Sequence, residues 1–170
     1  MDTLKLLEER RSCRSYREEQ ITDEELDTVL QAGLWAPTAR GTQDVIMIAV
    51  QDPGLVKKLS EMNARVMNSS SDPFYGAPTV IIVLSKRGKN DMVDGSGALN
   101  YLMLAAEEIG LGSCWINRAK EVFDTEEGKA LLRSWGVEGD YVGVGNCILG
   151  YPVEKAVKKP RKPGRIIKLK

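Results

Sequence analysis

The stretch from Asp94 to Ile109 constrains this chain more than any other part of it. Ala98, Leu99, Tyr101, Leu102, Met103, Leu104, Ala105, Ala106 and Ile109 leave a helix apolar on nearly every side. A helix without a polar face belongs in the middle of a molecule or of a dimer. Gly110 and Gly112 stop it, and Ser113-Cys-Trp-Ile116 reads as a strand emerging from the break.

The segments around it alternate between helix and buried strand. Thr22 with Glu25 three residues on has capping-box spacing, and Leu26, Val29, Leu30 and Leu34 follow at helical period up to Pro37. Val45–Val50 and Thr79–Leu84 are short, continuous apolar runs of β-branched character, the mark of strands covered on both faces. Asp52 caps a helix with Pro53 at its first position and Leu55, Leu59, Met62 and Val66 inward. Asn68 to Tyr75 is a polar, Ser-rich loop. Asp124 with Glu127 is expected to open a further helix through Leu131, Leu132 and Trp135, and Val142–Gly150 supplies the last core strand. This alternation, with no repeat and no dividing linker, predicts one three-layer α/β or α+β domain over residues 1–170.

Charge and residue usage remove whole classes of chemistry. The chain has no histidine, so Ser-His-Asp triads, Cys-His dyads and His-ligated metals are excluded. Cys13, Cys114 and Cys147 are odd in number and lack a CxxC pair, which suggests neither a disulfide framework nor a zinc site; no metal is expected. No segment has the unbroken apolar length of a membrane span, and the Glu- and Arg-rich start does not read as a signal peptide, so a soluble, cytoplasmic protein is expected. Net charge is zero but unevenly spread. Residues 155–170 carry eight of the 24 basic residues and no acid, which leaves residues 1–154 strongly acidic and repellent to nucleic acid. The tail has no aromatic residue to stack on a base, and docking on its own body or on a partner's, with Ile166, Ile167 and Leu169 buried as a strand, is its simpler role.

Arg10-Arg-Ser-Cys-Arg-Ser-Tyr16 places three arginines and a hydroxyl within five residues, a cradle suited to a phosphate, because guanidinium groups fork paired N–H donors onto phosphoryl oxygens. A solvated charged turn is the competing reading of such a cluster. No GxxxxGK[ST] is present, and Gly95-Ser-Gly97 and Gly110-Leu-Gly112 are caps and packing sites rather than a dinucleotide fingerprint.

The order of motifs is more specific than any one of them. Arg10 to Tyr16, Trp35-Ala-Pro-Thr-Ala-Arg-Gly-Thr-Gln43, Tyr75-Gly-Ala-Pro-Thr-Val-Ile-Ile-Val83, the apolar helix running into Gly110-Leu-Gly-Ser-Cys-Trp-Ile116, Ile148-Leu-Gly-Tyr-Pro152 and Lys159-Pro-Arg-Lys162 resemble the nitroreductase family of FMN-dependent oxidoreductases over almost the whole chain. The resemblance implies an α+β, three-layer fold with a central mixed, mainly antiparallel sheet flanked by helices. It also implies a homodimer with FMN at the interface and NAD(P)H as reductant. Arg10, Ser12, Arg161 and Lys162 would hold the flavin phosphate, and Arg11 would face the phosphate or ribityl chain. Arg14 would reach the N1/C2 edge of the isoalloxazine, its rival role being an ion pair with a neighbouring Glu. Trp115 and Ile116 would lead into a backbone N–H of Asn117 or Arg118 aimed at flavin N5, so that no side chain is itself catalytic. Pro37, Thr38, Ala39 and Gln43 would complete the pocket of the partner subunit.

The chain departs from the family pattern at Gly41, where Asn is usual, and at Asp44-Val45, where Pro-Trp is usual; Arg40 could substitute for the lost flavin contact. It is also short, which predicts an open or loop-covered site with Asn68 to Tyr75, and Phe74 in particular, as a wall. The implied activity is hydride transfer from NAD(P)H through flavin N5 to a small organic acceptor such as a nitroaromatic or quinone. A non-catalytic flavin carrier or sensor shares the anchor, and a basic-tailed module for an anionic polymer is the remaining rival.

Overall fold

The computed structural model describes residues 2–169. Lys170, counted with the basic tail, lies outside them. Helix α1 (Thr3–Glu9) opens the chain and α2 (Asp23–Leu34) follows, with the capping box formed: the Glu25 amide donates to the Thr22 hydroxyl at 3.2 Å, and the Thr22 amide to Glu25 Oε2 at 2.8 Å. Strand β1 (Val45–Val50), helix α3 (Pro53–Val66) and strand β2 (Thr79–Lys86) come next. Asp52 caps α3 by accepting from the Leu55 amide at 2.8 Å.

The apolar helix α4 (Asp91–Glu108) begins one turn earlier than expected. Its cap, Asn90, makes no side-chain hydrogen bond, and the acidic residue expected to start the helix, Asp94, is committed elsewhere. Strand β3 (Gly112–Ile116) follows, as the glycine break implied. A short helix not expected from the sequence, α5 (Ala119–Asp124), precedes the expected one, α6 (Glu126–Ser134), with a break at Thr125 between them. Thr125 rather than Asp124 is the cap of α6, accepting from the Gly128 amide at 3.0 Å. The tightness of that corner explains the break: a Cβ at Gly128 would stand 2.2 Å from the Val122 carbonyl oxygen.

Strand β4 (Tyr141–Gly150) completes a four-stranded sheet in the order β1-β2-β4-β3, with every pairing antiparallel. The mixed character expected of the sheet is confined to one parallel bridge between Ser12 and Ser113. On one face Val56, Leu59 and Met62 of α3, Phe123 of α5 and Leu132 of α6 pack on Val80, Ile82, Leu84 and Ile148. On the other, Leu26 and Val29 of α2 and Leu99 and Leu102 of α4 pack on Ile81, Val83, Cys147 and Leu149. From Val80 to Leu84 consecutive residues of β2 alternate between the two clusters and all are solvent-excluded, which is why the run reads as continuously apolar. The sheet thus lies between two helical layers.

The C-terminal tail forms no strand among the described residues, contrary to expectation, and Ile166, Ile167 and Leu169 are 80% or more exposed. Its lysines nevertheless meet the acidic body. Lys155 pairs with Glu9 at 3.5 Å and Glu107 at 3.8 Å, and Lys158 pairs with Glu8, holding that carboxyl below its ordinary range.

Candidate functional site

The arginine loop sits where β2 and β3 begin and β4 ends. Ser12 bridges Ser113, the Cys13 amide donates to the Ser113 carbonyl at 2.8 Å, and Tyr16 bridges Pro152 beyond the end of β4. Tyr16 locks the turn by donating its hydroxyl to the Cys13 carbonyl at 2.9 Å, and its own pKa is pushed far up by burial. The close packing of Cys13 on Gly112 admits no side chain there: an added Cβ would lie 2.7 Å from Cys13 Sγ.

Three of the expected groups converge on Cys114. Burial pushes the Cys114 thiol up, while a hydrogen bond from the Ser12 hydroxyl and the charges of Arg14 and Arg10 oppose that rise. Within this convergence Arg10 Nη1 is buried and has no hydrogen-bond partner, the one such side-chain atom among the described residues. A buried guanidinium nitrogen without an acceptor is costly and calls for an anion. Arg14 is exposed and makes no ion pair among the described residues; its guanidinium lies over the ring of Tyr75, 5.9 Å from the centroid. Arg11 donates to the Arg10 carbonyl at 2.5 Å and lines a small cavity with Glu107, Glu108 and Lys155, on the side of the tail.

Other expected residues stand further off. Trp115 faces the α4 layer with its indole against Gly145, while Ile116 is buried in the opposite layer with α3 and α5. Asn117 and Arg118 are exposed at the far end of β3, roughly 16 Å of strand from Gly112. Arg118 has a left-handed backbone, φ 79°, and pairs with Glu121 at 2.8 Å. Arg161 and Lys162 are exposed in the tail, and Arg161 shares a surface cavity with Leu7 and Glu8 of α1 instead of meeting Ser12.

Pro37, Thr38, Ala39 and Gln43 form a loop around a single 3₁₀ turn with positive φ at Arg40, Gly41 and Gln43. The Gln43 amide donates to the Thr38 hydroxyl at 3.0 Å and the Ala39 amide to Asp94 Oδ1 at 2.9 Å. That contact fixes the loop at the N-terminal end of α4, whereas the arginine loop packs just past its C-terminal end. An 18-residue helix is roughly 27 Å long, so one chain keeps the two halves of the expected site well apart.

Two features escaped the sequence reading. Tyr75 is the partner of Arg14, and Asp72 fastens the turn that carries it; a D-x-F-Y-G run ahead of a strand was the available signal. Phe74, expected to wall the pocket, is only 2% exposed and helps line a cavity of about 640 Å³ with Val56, Ser60, Ala64 and Pro78.

A three-layer α+β fold, its sheet held between two helical layers, with a cationic loop at the end of that sheet points to one class, and the chain belongs to it: residues 7–151 match the Nitroreductase family. A curated relative from Archaeoglobus fulgidus, provisionally named NADH dehydrogenase/NAD(P)H nitroreductase, is 33% identical over 91% of this chain and 87% of its own length. The FMN reductase [NAD(P)H] of Bacillus subtilis is 25% identical over 95% of the chain and 70% of its own. Among solved structures, a nitroreductase with bound FMN from Bacteroides fragilis superposes with a TM-score of 0.91 at 28% identity, each chain covered in full. A second, from Desulfitobacterium hafniense, reaches a TM-score of 0.89 at 22% identity and shows the same fold.

Proposed function

We propose that this chain is an FMN-dependent oxidoreductase that passes hydride from NAD(P)H to a small organic acceptor such as a nitroaromatic or quinone. The observation that carries the reading is the buried, unpartnered Nη1 of Arg10, in the loop that also carries the Ser12 hydroxyl. Those groups suit the phosphate of FMN, and Arg161 and Lys162 are its remaining candidates for counter-charge. Arg11 supports the loop by bonding the Arg10 carbonyl. Arg14 is the cation available to the pyrimidine edge of the ring, where negative charge gathers on reduction. Bound FMN supplies hydride acceptance and donation at N5. The backbone N–H of Asn117 or Arg118 is the donor proposed for that atom, and the exposed turn after Trp115 and Ile116 leaves it free to serve.

The same reading assigns a homodimer. The loop of Pro37, Thr38, Ala39 and Gln43 lies at the opposite end of α4 from the arginine cradle, and a two-fold axis across α4 brings one chain's loop to the other's cradle. Leu34, Trp35, Met92, Val93 and Tyr101, all 39% or more exposed, supply an apolar face for that contact. The tail, with its exposed Ile166, Ile167 and Leu169, is assigned to the partner's surface. No described helix is long and apolar enough to cross a membrane, and the reducing cytoplasm suits three unpaired cysteines.

FMN titration of the purified protein, followed by anaerobic addition of NADH or NADPH, tests the reading. The flavin absorbance is expected to bleach and to return with a nitroaromatic or quinone. A protein that takes up no FMN sinks the proposal, and one that binds FMN but is not bleached is a carrier. Arg10→Met is expected to fold as well as the native chain without FMN, since it removes an unpaired buried donor, yet to lose the rise in Tm that FMN gives the native protein.

A further inference from the structure

Tyr75 holds a backbone conformation that its burial does not explain. Its φ of 53° is uncommon for an aromatic residue, and the residue is 43% exposed. What holds it is Asp72. One carboxylate oxygen accepts from the Phe74 amide at 2.9 Å and from the Ser60 hydroxyl at 2.5 Å, and the other accepts from the Gly76 amide at 2.7 Å. Phe74 is sunk in the core on one side of Tyr75, and Gly76, φ 71°, continues the left-handed turn on the other. Strain of this kind persists only where surrounding structure over-determines it, and such places cluster at functional sites. The outcome is an aromatic face presented to the guanidinium of Arg14, which pairs with no carboxylate among the described residues.

We propose that Tyr75 is a positioning residue for Arg14, with Asp72 as its anchor, and that this pair sets how strongly the site favours reduced over oxidised flavin. The proposal rests on the FMN reading above. An arginine in water samples many rotamers; one laid on a fixed ring keeps its charge in a constant place, at a fraction of the desolvation cost of an ion pair. A carboxylate in that role would neutralise the charge that the ring leaves available.

The test uses the FMN-loaded native protein with Tyr75→Phe, Tyr75→Leu, Arg14→Met and the double variant, reading FMN affinity by fluorescence and midpoint potential by spectroelectrochemistry. Tyr75→Leu is expected to lower the preference for reduced FMN about fivefold, the scale of a cation–π contact at a part-exposed site, which is a fall of about 20 mV for a two-electron couple. Tyr75→Phe keeps the ring face and is expected to stay within about twofold of the native protein. In the Arg14→Met background Tyr75→Leu is expected to add nothing. An unchanged preference in Tyr75→Leu, or an equal fall with and without Arg14, overturns the role of Tyr75. Failure of the native chain to take up FMN instead overturns the flavin reading and the proposal with it.

Discussion

The amide of Ala39 donates a 2.9 Å hydrogen bond to Asp94 Oδ1 across 55 residues of sequence. Asp94 is 8% exposed, so the bond is shielded, and a hydrogen bond to a charged acceptor of this kind contributes about 1.5–3 kcal/mol. Asp94→Ala is expected to lose that much in urea unfolding and to speed amide exchange in residues 38–43, whereas Asp94→Asn keeps an acceptor oxygen and loses less. Equal losses in both variants would mean the charge, not the bond, matters.

Arg118 gives a cleaner separation of backbone from side chain. Its φ of 79° costs a non-glycine residue about 1 kcal/mol, and its ion pair with Glu121 at 2.8 Å is solvent-exposed and returns less. Arg118→Gly is therefore expected to raise Tm while leaving FMN affinity intact, because a main-chain donor needs no side chain. Loss of FMN in a stable Arg118→Gly protein would transfer the role to the guanidinium.

At Gly143 the backbone of α5 approaches β4 so closely that an added Cβ would meet the Ala119 carbonyl oxygen at 2.3 Å and its carbon at 2.4 Å. Backbone cannot rotate away as a side chain can. Gly143→Ala is expected to cost about 1–3 kcal/mol in chemical denaturation by displacing α5. Native stability in that variant would show that α5 moves freely.

Glu25 links the cap of α2 to the end of the sheet. Tyr151 donates its hydroxyl to Glu25 Oε2 at 2.7 Å, and with the Thr22 amide and hydroxyl it holds the carboxyl below the usual range. A depressed folded-state value means the stabilisation is whole above about pH 4.3 and is lost as pH falls through the folded value. Tyr151→Phe is expected to lower the urea midpoint at pH 7 by a small margin that closes toward pH 3. A margin that does not change with pH would assign the effect to packing.

Much of this fold is legible in the sequence because its signals are local. The capping box at Thr22 and Glu25, the Asp52-Pro53 start and the β-branched runs each state their own structure. Asp124 misled because an acidic residue with Glu three positions on fits a cap, while the deciding fact, Gly128 pressed on Val122, depends on tertiary contact. Asp94 misled likewise, its carboxylate being claimed by a loop 55 residues away. The arginine loop was legible as a cluster of cations, and burial singles out Arg10 within it. Tyr75 was not legible, since nothing in a linear pattern says which ring an arginine will lie on.

The Ser12–Ser113 bridge has a second effect. Strand β3 is one edge of the sheet, and its outer side would otherwise offer free amides and carbonyls to any passing extended chain. By taking the Ser113 carbonyl, the loop that carries Arg10 also covers that edge at Ser113. Variants that loosen residues 10–14 should therefore show self-association between sheets alongside any loss of FMN.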